Sequence, residues 1–390
     1  MSIHMLQPAF ATSPPQRSPA RPGGGAPVAP RISLLDTLDQ VDAIEGAWRA
    51  LDARTPEATG FQSFEWCCAW MRAEPHARPG RWRIVAVWAG SDLVCLLPLQ
   101  HDRRFGVRVL RWLGEPWTQY GDALAEPGPH RIVHLAAAWR EVSAWRDVDL
   151  IKLGRVRDEA ALLSLPGFTG RTGLHTESAP VLDLTRPARP ASKGSLARRR
   201  RKLEAIAPVR FEIVTDAGAR LHLVEEAIGL KRDWLNKRHK ASSGLWHANL
   251  ESLLRDLARG DRLIVGRLAV GDETAALELG LDANGAFRSL LGCHDVRFAQ
   301  GSPGHLLIGH MVDWCRARGF SAYDLMTPAD EYKRQWANDE MPVTDHLVAQ
   351  AMRGRAAAAY FRARPRLKSL HARMPAPCRQ LIAKALPRGA

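Results

Sequence analysis

The sequence predicts an α/β protein of two tandem lobes, each with a mixed and mostly antiparallel sheet flanked by helices. Its 390 residues are too many for one compact domain and suit two. The same order of strands and helices can be read in both halves. Matching turns also recur: Gly90-Ser91-Asp92 and Gly271-Asp272-Glu273 lie 181 residues apart, and Gly128 and Gly304, each at a helix start, lie 176 apart. These three observations predict an internal duplication.

The first half begins with a short strand at residues 32–35, followed by a helix. That helix has one apolar face, formed by Val41, Ile44, Trp48 and Leu51. Ser63 is suited to cap a second helix over residues 64–72. The remaining predicted elements are a hairpin (83–88 and 93–99), a strand (107–113), a helix (130–145) and a strand (148–153).

The second half repeats this order. A helix at 195–206 and a strand at 209–214 precede a long helix at 217–240, whose buried face holds Leu221, Val224, Ile228 and Leu235. Strands at 262–269 and 274–281 form a hairpin, and Asn284-Gly285, a type I′ turn sequence, leads into a strand at 286–293. A helix after Ser302 and a strand at 321–325 complete the half.

Four segments follow from this pattern. Residues 1–30, rich in Pro and Gly, are expected to be a disordered tail and not a signal peptide. Residues 31–185 are predicted to be the N-terminal lobe and residues 186–350 the C-terminal lobe. Residues 351–390 are predicted to be a basic tail.

The positive charge of the chain, +14, is concentrated in two places. Lys193 and the run Arg198 to Lys202 supply six cations, and ten more lie from Arg353 onwards, with no acidic residue in either group. Leu196, Leu203 and Ile206 share a helix face, so the arginines of the run mostly face solvent. Alternatively, they bind a phosphate of a ligand, a lipid or tRNA.

Composition excludes several classes of protein. The chain is 46% hydrophobic and 25% charged, as in soluble proteins, and has no run of about 18 apolar residues that could span a membrane. Its six cysteines show no CxxC spacing, which predicts a reducing cytoplasm. G-x-S-x-G, HExxH and P-loop motifs are absent from the sequence, and we expect no metal site.

The segment Arg297 to His305 is the clearest candidate for ligand binding. Ser302 is suited to the N-cap and Pro303 to the first position of a helix, whose free amides and dipole attract anions. Gly304 lets a phosphate approach the backbone, and Arg297 and His305 add charge or donors. The alternative is an ordinary surface helix.

The β-β-β-α-β order of residues 262–325 resembles the GNAT acyltransferase superfamily. The chain is most similar to the CelD-type acetyltransferases, named for cellulose biosynthesis and related to the Fem aminoacyltransferases. The matching segments are Phe61-Gln62-Ser63-Phe64-Glu65-Trp66 with Trp70, Leu96 to Leu99, Leu110 to Gly114, Arg198 to Leu203, Gly301 to Gly304 and Glu331 to Trp336. Ser302 and Ala299 stand where the general superfamily loop has Gly and Arg or Gln.

The resemblance implies that an acyl-CoA, such as acetyl-CoA, is the cosubstrate. Its pyrophosphate would lie on the N-terminus of the helix after Ser302, and its pantetheine along the third strand. The residues implied for binding are Arg297, Gln300, Gly301, Ser302, Gly304 and His305.

His294 and Asp295, at the end of the third strand, would then lie near the thioester, where one of them could remove a proton from an attacking amine. Alternatively, Asp295 caps a turn and His294 is a satisfied histidine at a strand end. Glu278 faces away from Leu277 and Leu279, which predicts either solvent exposure or a base across the sheet.

Lys333 matches the lysine of the family's Tyr-Lys motif, and the resemblance implies a cation beside the thioester carbonyl or an anionic substrate. An exposed helix lysine is the alternative. Tyr332 and Trp336 are the implied substrate-binding residues, with Trp336 as core or pocket wall.

The resemblance implies acyl-CoA-dependent N-acyltransfer to a small-molecule or saccharide amine, such as an amino sugar or a polysaccharide precursor. One alternative is a Fem-like transferase that uses aminoacyl-tRNA, with the arginine run on the tRNA. Another is a non-catalytic module of exopolysaccharide production. In that case the basic, amphipathic segment after Tyr360 would contact an anionic membrane at its cytoplasmic face; otherwise this segment is an unbound basic tail.

Overall fold

The structure is a computed structural model that describes residues 29–373, except 75, 167, 169–172, 188–192, 238–244, 246 and 248. Residues 1–28 of the predicted tail (1–30), the last residues of the predicted long helix and the C-terminal residues 374–390 lie outside the described part of the chain.

Strands and helices alternate through both halves in the predicted order. The first half contains β1 (Arg31–Leu35), α1 (Leu38–Asp42), α2 (Glu45–Arg54), α3 (Phe64–Arg72), β2 (Trp82–Ala89), β3 (Asp92–Arg104), β4 (Val107–Trp112), β5 (Leu124–Ala125), α4 (Arg131–Ala144), β6 (Leu150–Arg157) and β7 (Gly173–Asp183). The second contains α5 (Lys193–Glu204), β8 (Val209–Ile213), α6 (Ala217–Lys237), α7 (Leu250–Arg259), β9 (Leu263–Val270), β10 (Glu273–Ala283), β11 (Ala286–His294), α8 (Pro303–Ala317), β12 (Ala322–Asp324), α9 (Glu331–Trp336), β13 (Asp339–Ala349) and α10 (Met352–Arg373).

The strands form one continuous, mostly antiparallel sheet. Its order is β1-β2-β3-β4-β6-β13-β7-β12-β11-β10-β9-β8, with β5 paired to β3. If each strand of the first half is matched to its counterpart in the second, this order reads the same from both ends. The parallel pairs in the described sheet are the equivalent pairs β4–β6 and β11–β12. The fold is therefore the predicted mixed α/β arrangement, with a pseudo-twofold axis between β13 and β7.

The two halves exchange their last strands. β7, at the end of the first half, pairs with β12, whereas β13, at the end of the second half, pairs with β6. β7 and β13 also pair with each other and join the two halves at the centre of the sheet. The two predicted sheets are consequently one, because each half completes the other.

Helices cover both faces of the sheet. One large apolar cluster includes Trp48, Trp66 and Trp70 from the first half together with leucines of α6 and α7 from the second. α4 covers the opposite face of the first half, and α5 with α8 covers that of the second. Since the tryptophan-rich cluster takes side chains from both halves, they share a core as well as a sheet.

Most predicted elements are present within a few residues of their predicted bounds. Six elements were not predicted, namely β5, β7, α7, α9, β13 and α10. The predicted helix through Val41 and Leu51 is broken into α1 and α2. The start of the predicted basic tail is the helix α10, which packs on β13 through Ala358. In the described part of the chain, no helix has the length and apolar character needed to cross a membrane.

Candidate functional site

The parallel strands β11 and β12 diverge and leave an opening, which we call the C-terminal fork. They pair only between residues 286–288 and 322–324. β12 ends at Asp324, and the chain turns away at Met326, whose φ is +62°, whereas β11 continues to His294. Residues 289–294 therefore have β10 on one side and no described strand on the other. This edge of β11 is not paired with a described strand and can hydrogen-bond an extended ligand.

The N-terminus of α8 lies at the mouth of this fork. Pro303 is the first residue of the helix, as predicted. Ser302 occupies the N-cap position but makes no side-chain cap, because its backbone is left-handed (φ +48°, ψ +58°) and not extended. The Ser302 carbonyl accepts the amides of His305 and Leu306 at 3.1 and 3.3 Å. The prediction that the Ser302 hydroxyl caps the helix is therefore wrong, although the helix starts where it was predicted.

His294 and Gly304 face each other across this mouth. A Cβ added to Gly304 would lie 3.9 Å from His294 Nδ1 and meet nothing closer. The first turn of α8 is thus open at Gly304, which leaves its backbone accessible to an anion.

Gly301 has a packing role. A Cβ at this position would lie 2.3 Å from Leu203 Cδ2, so the loop before α8 can contact α5 closely only with glycine here. Lys202 Nζ donates to the Gln300 carbonyl at 3.5 Å. The basic run of α5 therefore lies beside the loop that precedes α8.

The ring of His305 is neutral, and its Nδ1 accepts a hydrogen bond. Burial, together with the positive charge of Arg199 and nearby His294, lowers the pKa of His305. Trp336 Nε1 donates to His305 Nδ1 at 3.2 Å, so the ring proton is on Nε2. The two roles predicted for His305, charge or donor, stay predictions, and a proton on Nε2 is the geometry that the donor role needs.

Asp295 and Arg297 form a local ion pair. Asp295 caps the short 3₁₀ helix Val296–Gly301 by accepting the Arg297 amide at 2.8 Å, and it also accepts Arg297 Nε at 2.8 Å. Arg297 Nη1 contacts Glu273 Oε2 at 2.6 Å. Burial opposes ionisation of Asp295, but the hydrogen bonds from Arg297 outweigh it and lower its pKa. Asp295 therefore caps a turn, which was the predicted alternative to a role as base.

Glu278 is buried, which corrects the expectation of solvent exposure. Only 5% of the residue is exposed, since β10 lies inside the sheet with helices on both faces. Its carboxylate accepts a hydrogen bond from Ser289 of β11. Gly292, opposite Glu278 on β11, has no side chain to cover it, since a Cβ there would lie 2.9 Å from Glu278 Oε2. Burial raises the pKa of Glu278.

A half-buried lysine, Lys231, and a buried one, Lys333, flank Glu278. Lys231, from α6, donates to the Gly292 carbonyl at 2.7 Å, and burial lowers its pKa. Lys333, from α9, donates to the Met326 carbonyl at 3.0 Å and lies 3.4 Å from that of Thr327. Burial lowers the pKa of Lys333 to about 8, although nearby acids including Glu278 oppose this. The exposed-lysine alternative for Lys333 is therefore wrong.

Tyr332 and Trp336 border the same region from α9. Burial and then the charge of Glu278 raise the pKa of Tyr332, so its phenol keeps its proton. Trp336 is 8% exposed and packs in the core beside α8, as expected for a pocket wall.

The structure brings together most of the predicted site residues. His294, Ser302, Gly304 and His305 meet at the mouth, and Lys333, Tyr332 and Trp336 border it from α9. Arg297 and Gln300 are exposed on the loop, and Gly301 is buried against α5.

Sequence reasoning missed Lys231 and Ser289. Lys231 falls at helical spacing between Ile228 and Leu235 on the face predicted to be buried, and this spacing could have identified it. Ser289 depends on an irregularity in the pairing of β10 with β11 near Leu279 and Gly280, which the sequence pattern does not show.

Residues 191–334 match the family model of the acetyltransferase (GNAT) domain. The fold and the fork, with this match, define an acyltransferase. The second half of the chain thus contains an acetyltransferase-like (GNAT) domain, and the protein is an enzyme of the acyltransferase class. A comparison with curated proteins gives no match.

Several solved structures share the fold over most of the chain. The C-terminal domain of a protein assigned as a lysylphosphatidylglycerol synthetase, from Agrobacterium fabrum, is 14% identical with a TM-score of 0.51, covering 82% of this chain and 94% of that one. L-PGS from Bacillus licheniformis is 13% identical with a TM-score of 0.52, covering 85% and 96%. FemX is 10% identical with a TM-score of 0.52, covering 78% and 96%. At these identities the likeness establishes the fold alone.

Proposed function

We propose that the protein is an acyl-CoA-dependent N-acyltransferase, with acetyl-CoA as the simplest donor, and that the reaction takes place in the C-terminal fork. One observation carries the proposal: the fork opens beside the uncovered first turn of α8 and has a buried carboxylate, Glu278, behind the free edge of β11.

The helix N-terminus suits the pyrophosphate of the donor. The Gly304 amide and the positive end of the α8 dipole attract anions, and the missing side chain of Gly304 leaves the approach open. His305 can add its Nε2 proton as a donor. Arg199 of α5 lies close enough to His305 to lower its pKa, and it adds positive charge at the same place. Residues 289–294 can then hydrogen-bond the pantetheine as an extra strand.

Glu278 is the group we assign as the base. The acceptor amine must lose a proton as its nitrogen attacks the thioester carbon, and a buried carboxylate with a raised pKa is a stronger base than an exposed one. The missing side chain at Gly292 leaves the carboxylate uncovered on the fork side. Lys333 supplies positive charge for the carbonyl oxygen, and the protonated Tyr332 can donate to the departing thiolate.

We assign different roles to His294 and Asp295. His294 lies at the mouth, opposite Gly304, and is kept as a second candidate base. Asp295 is held by Arg297 with a lowered pKa, which makes it a weak base, so we assign it a structural role in the turn before α8.

The acceptor is an amine, and the CelD-type resemblance points to an amino sugar or a polysaccharide precursor of the cell envelope. We also propose that the basic segment from Arg353 onwards makes a peripheral contact with an anionic membrane.

A second candidate is transfer from aminoacyl-tRNA, with the same fork as its site. It is favoured by the shared fold with FemX and by the position of the basic helix α5 beside α8. It predicts RNA binding that weakens steeply with salt.

Acetyl-CoA consumption with a panel of amines tests the main proposal. Thiol release should depend on an amine, and Glu278→Gln should lower kcat by about 10²- to 10⁴-fold while acetyl-CoA still binds. Glu212→Gln, at an exposed glutamate of the edge strand β8, is the matched control and should keep full activity. Unchanged turnover in Glu278→Gln would refute the assignment of the base.

A further inference from the structure

The first half of the sheet has its own fork, which the pseudo-twofold axis relates to the C-terminal fork. β4 and β6 pair in parallel only at Val109–Leu150 and Leu110–Ile151 and then diverge. A cavity of about 200 Å³ lies where they separate, and β13 and β7 supply part of its wall. We call this cavity the N-terminal fork. It has room for roughly six water molecules, which is the size of a small organic ligand.

The lining of this cavity contains a buried acceptor without a donor. Glu115 is 8% exposed, and its Oε2 is 3.3 Å from Arg111 Nη1, whereas Oε1 has no hydrogen-bond partner among the described residues. A Cβ added to Gly154 would lie 3.3 Å from both Glu115 Oε1 and Asp345 Oδ1. The two carboxylates therefore converge over a glycine, where a donor is missing.

Lys152 is placed beside these carboxylates without bonding to them. Its Nζ is 4.0 Å from Glu115 Oε2 and 3.9 Å from Asp345 Oδ2, which is beyond hydrogen-bond distance. Arg155 also lines the cavity, and its amide donates to Asp345 Oδ1 at 2.9 Å. Charges of both signs thus alternate around a small space.

We propose that the N-terminal fork binds a small zwitterion, a molecule that carries an ammonium group and a carboxylate close together, as a free amino acid does. The ammonium donates to Glu115 Oε1 and Asp345, and the carboxylate accepts from Lys152 and the Arg155 side chain. A ligand with one charge leaves either Glu115 Oε1 or Lys152 without a bond, and the adjacent Lys152 and Arg155 disfavour a bare metal cation.

This site goes beyond the proposed acyl transfer. It lies in the other half of the sheet, and its lining differs from that of the C-terminal fork. Binding is measured without acyl-CoA, so the result is independent of whether acyl transfer occurs.

Calorimetric titration of the full-length protein tests the proposal with glycine, acetate and methylammonium at equal ionic strength. Glycine should bind and raise Tm, because it binds the folded state. Acetate and methylammonium should bind at least about tenfold more weakly, since each lacks one charged hydrogen-bonding group.

Two variants locate the site. Gly154→Ala fills the space between the carboxylates, and Asp345→Asn removes one charge but keeps the oxygen that accepts from Arg155; each should weaken glycine binding about tenfold. The controls are Gly46→Ala, where a Cβ has open space, and Asp339→Asn on the same strand as Asp345. Absence of glycine binding, equal binding of either single-charge probe, or full affinity in both variants would overturn the proposal.

Discussion

Glu278 of β10, Lys231 of α6 and Lys333 of α9 bring charges of both signs together at the C-terminal fork. A buried charge is costly unless it is paired or hydrogen-bonded, and here each lysine donates to backbone carbonyls while the carboxylate accepts from Ser289. Such perturbed groups in a cleft are typical of functional sites. The alternation of residues 277–279 predicts that Glu278 faces away from its leucine neighbours. Whether that face meets water or a helix depends on packing between distant segments.

The ionisation of Lys333 predicts how the activity depends on pH. With a pKa of about 8, Lys333 is charged below that pH and neutral above it. If its charge stabilises the thioester oxygen, kcat/KM should fall as the pH rises through about 8. Lys333→Arg stays charged over this range and should lose that alkaline limb. The pH profile of kcat/KM is the measurement, and a wild-type rate that rises through pH 8 would contradict the role.

At the scale of elements, the start of α8 depends on how closely α5 packs against the loop that precedes α8. Pro303 marked the helix start in the sequence, and Asn284-Gly285 marked the turn before β11; both are local features, and both are found. The leucines of α7 also have helical spacing, so that helix could have been predicted. The contact of Leu203 with Gly301 could not, because it joins residues of separate elements.

Gly301→Ala tests this contact. Its Cβ would lie 2.3 Å from Leu203 Cδ2, and the forced shift of α5 should cost about 1–3 kcal/mol of unfolding free energy. Acetyl-CoA affinity should fall as well, since Arg199 moves with α5. Gly194→Ala, at an open position of the same helix, is the control for urea unfolding. Equal stability of the Gly301 variant and wild type would show that α5 is not fixed by this contact.

For the whole molecule, the exchange of β7 and β13 makes the two halves interdependent. The duplication could be read from repeated turns and element order, because these are features of each half. The exchange could not, since β7 and β13 pair across more than 150 residues of sequence, as between Glu177 and Val343. Domain bounds at residues 185 and 350 therefore describe the repeat in the sequence and not two separate sheets.

Residues 31–185 expressed alone should not fold cooperatively. Without β13, both β6 and β7 lose their central partner, and the tryptophan-rich cluster loses the leucines of α6 and α7. Circular dichroism during heating checks this, with the full chain as the reference. A sharp transition of the isolated half, similar to that of the full chain, would contradict the dependence.

The central claim is that an acyl-CoA binds the C-terminal fork with its pyrophosphate on the first turn of α8. Isothermal titration of acetyl-CoA into wild type, Gly304→Ala and Gly304→Glu tests it most directly. A Cβ at Gly304 makes only an ordinary contact, so the Ala variant should bind nearly as wild type does, whereas the Glu carboxylate should weaken binding at least about tenfold by repelling the phosphates. Absence of binding to wild type, or equal affinity of the Glu variant, would contradict the claim.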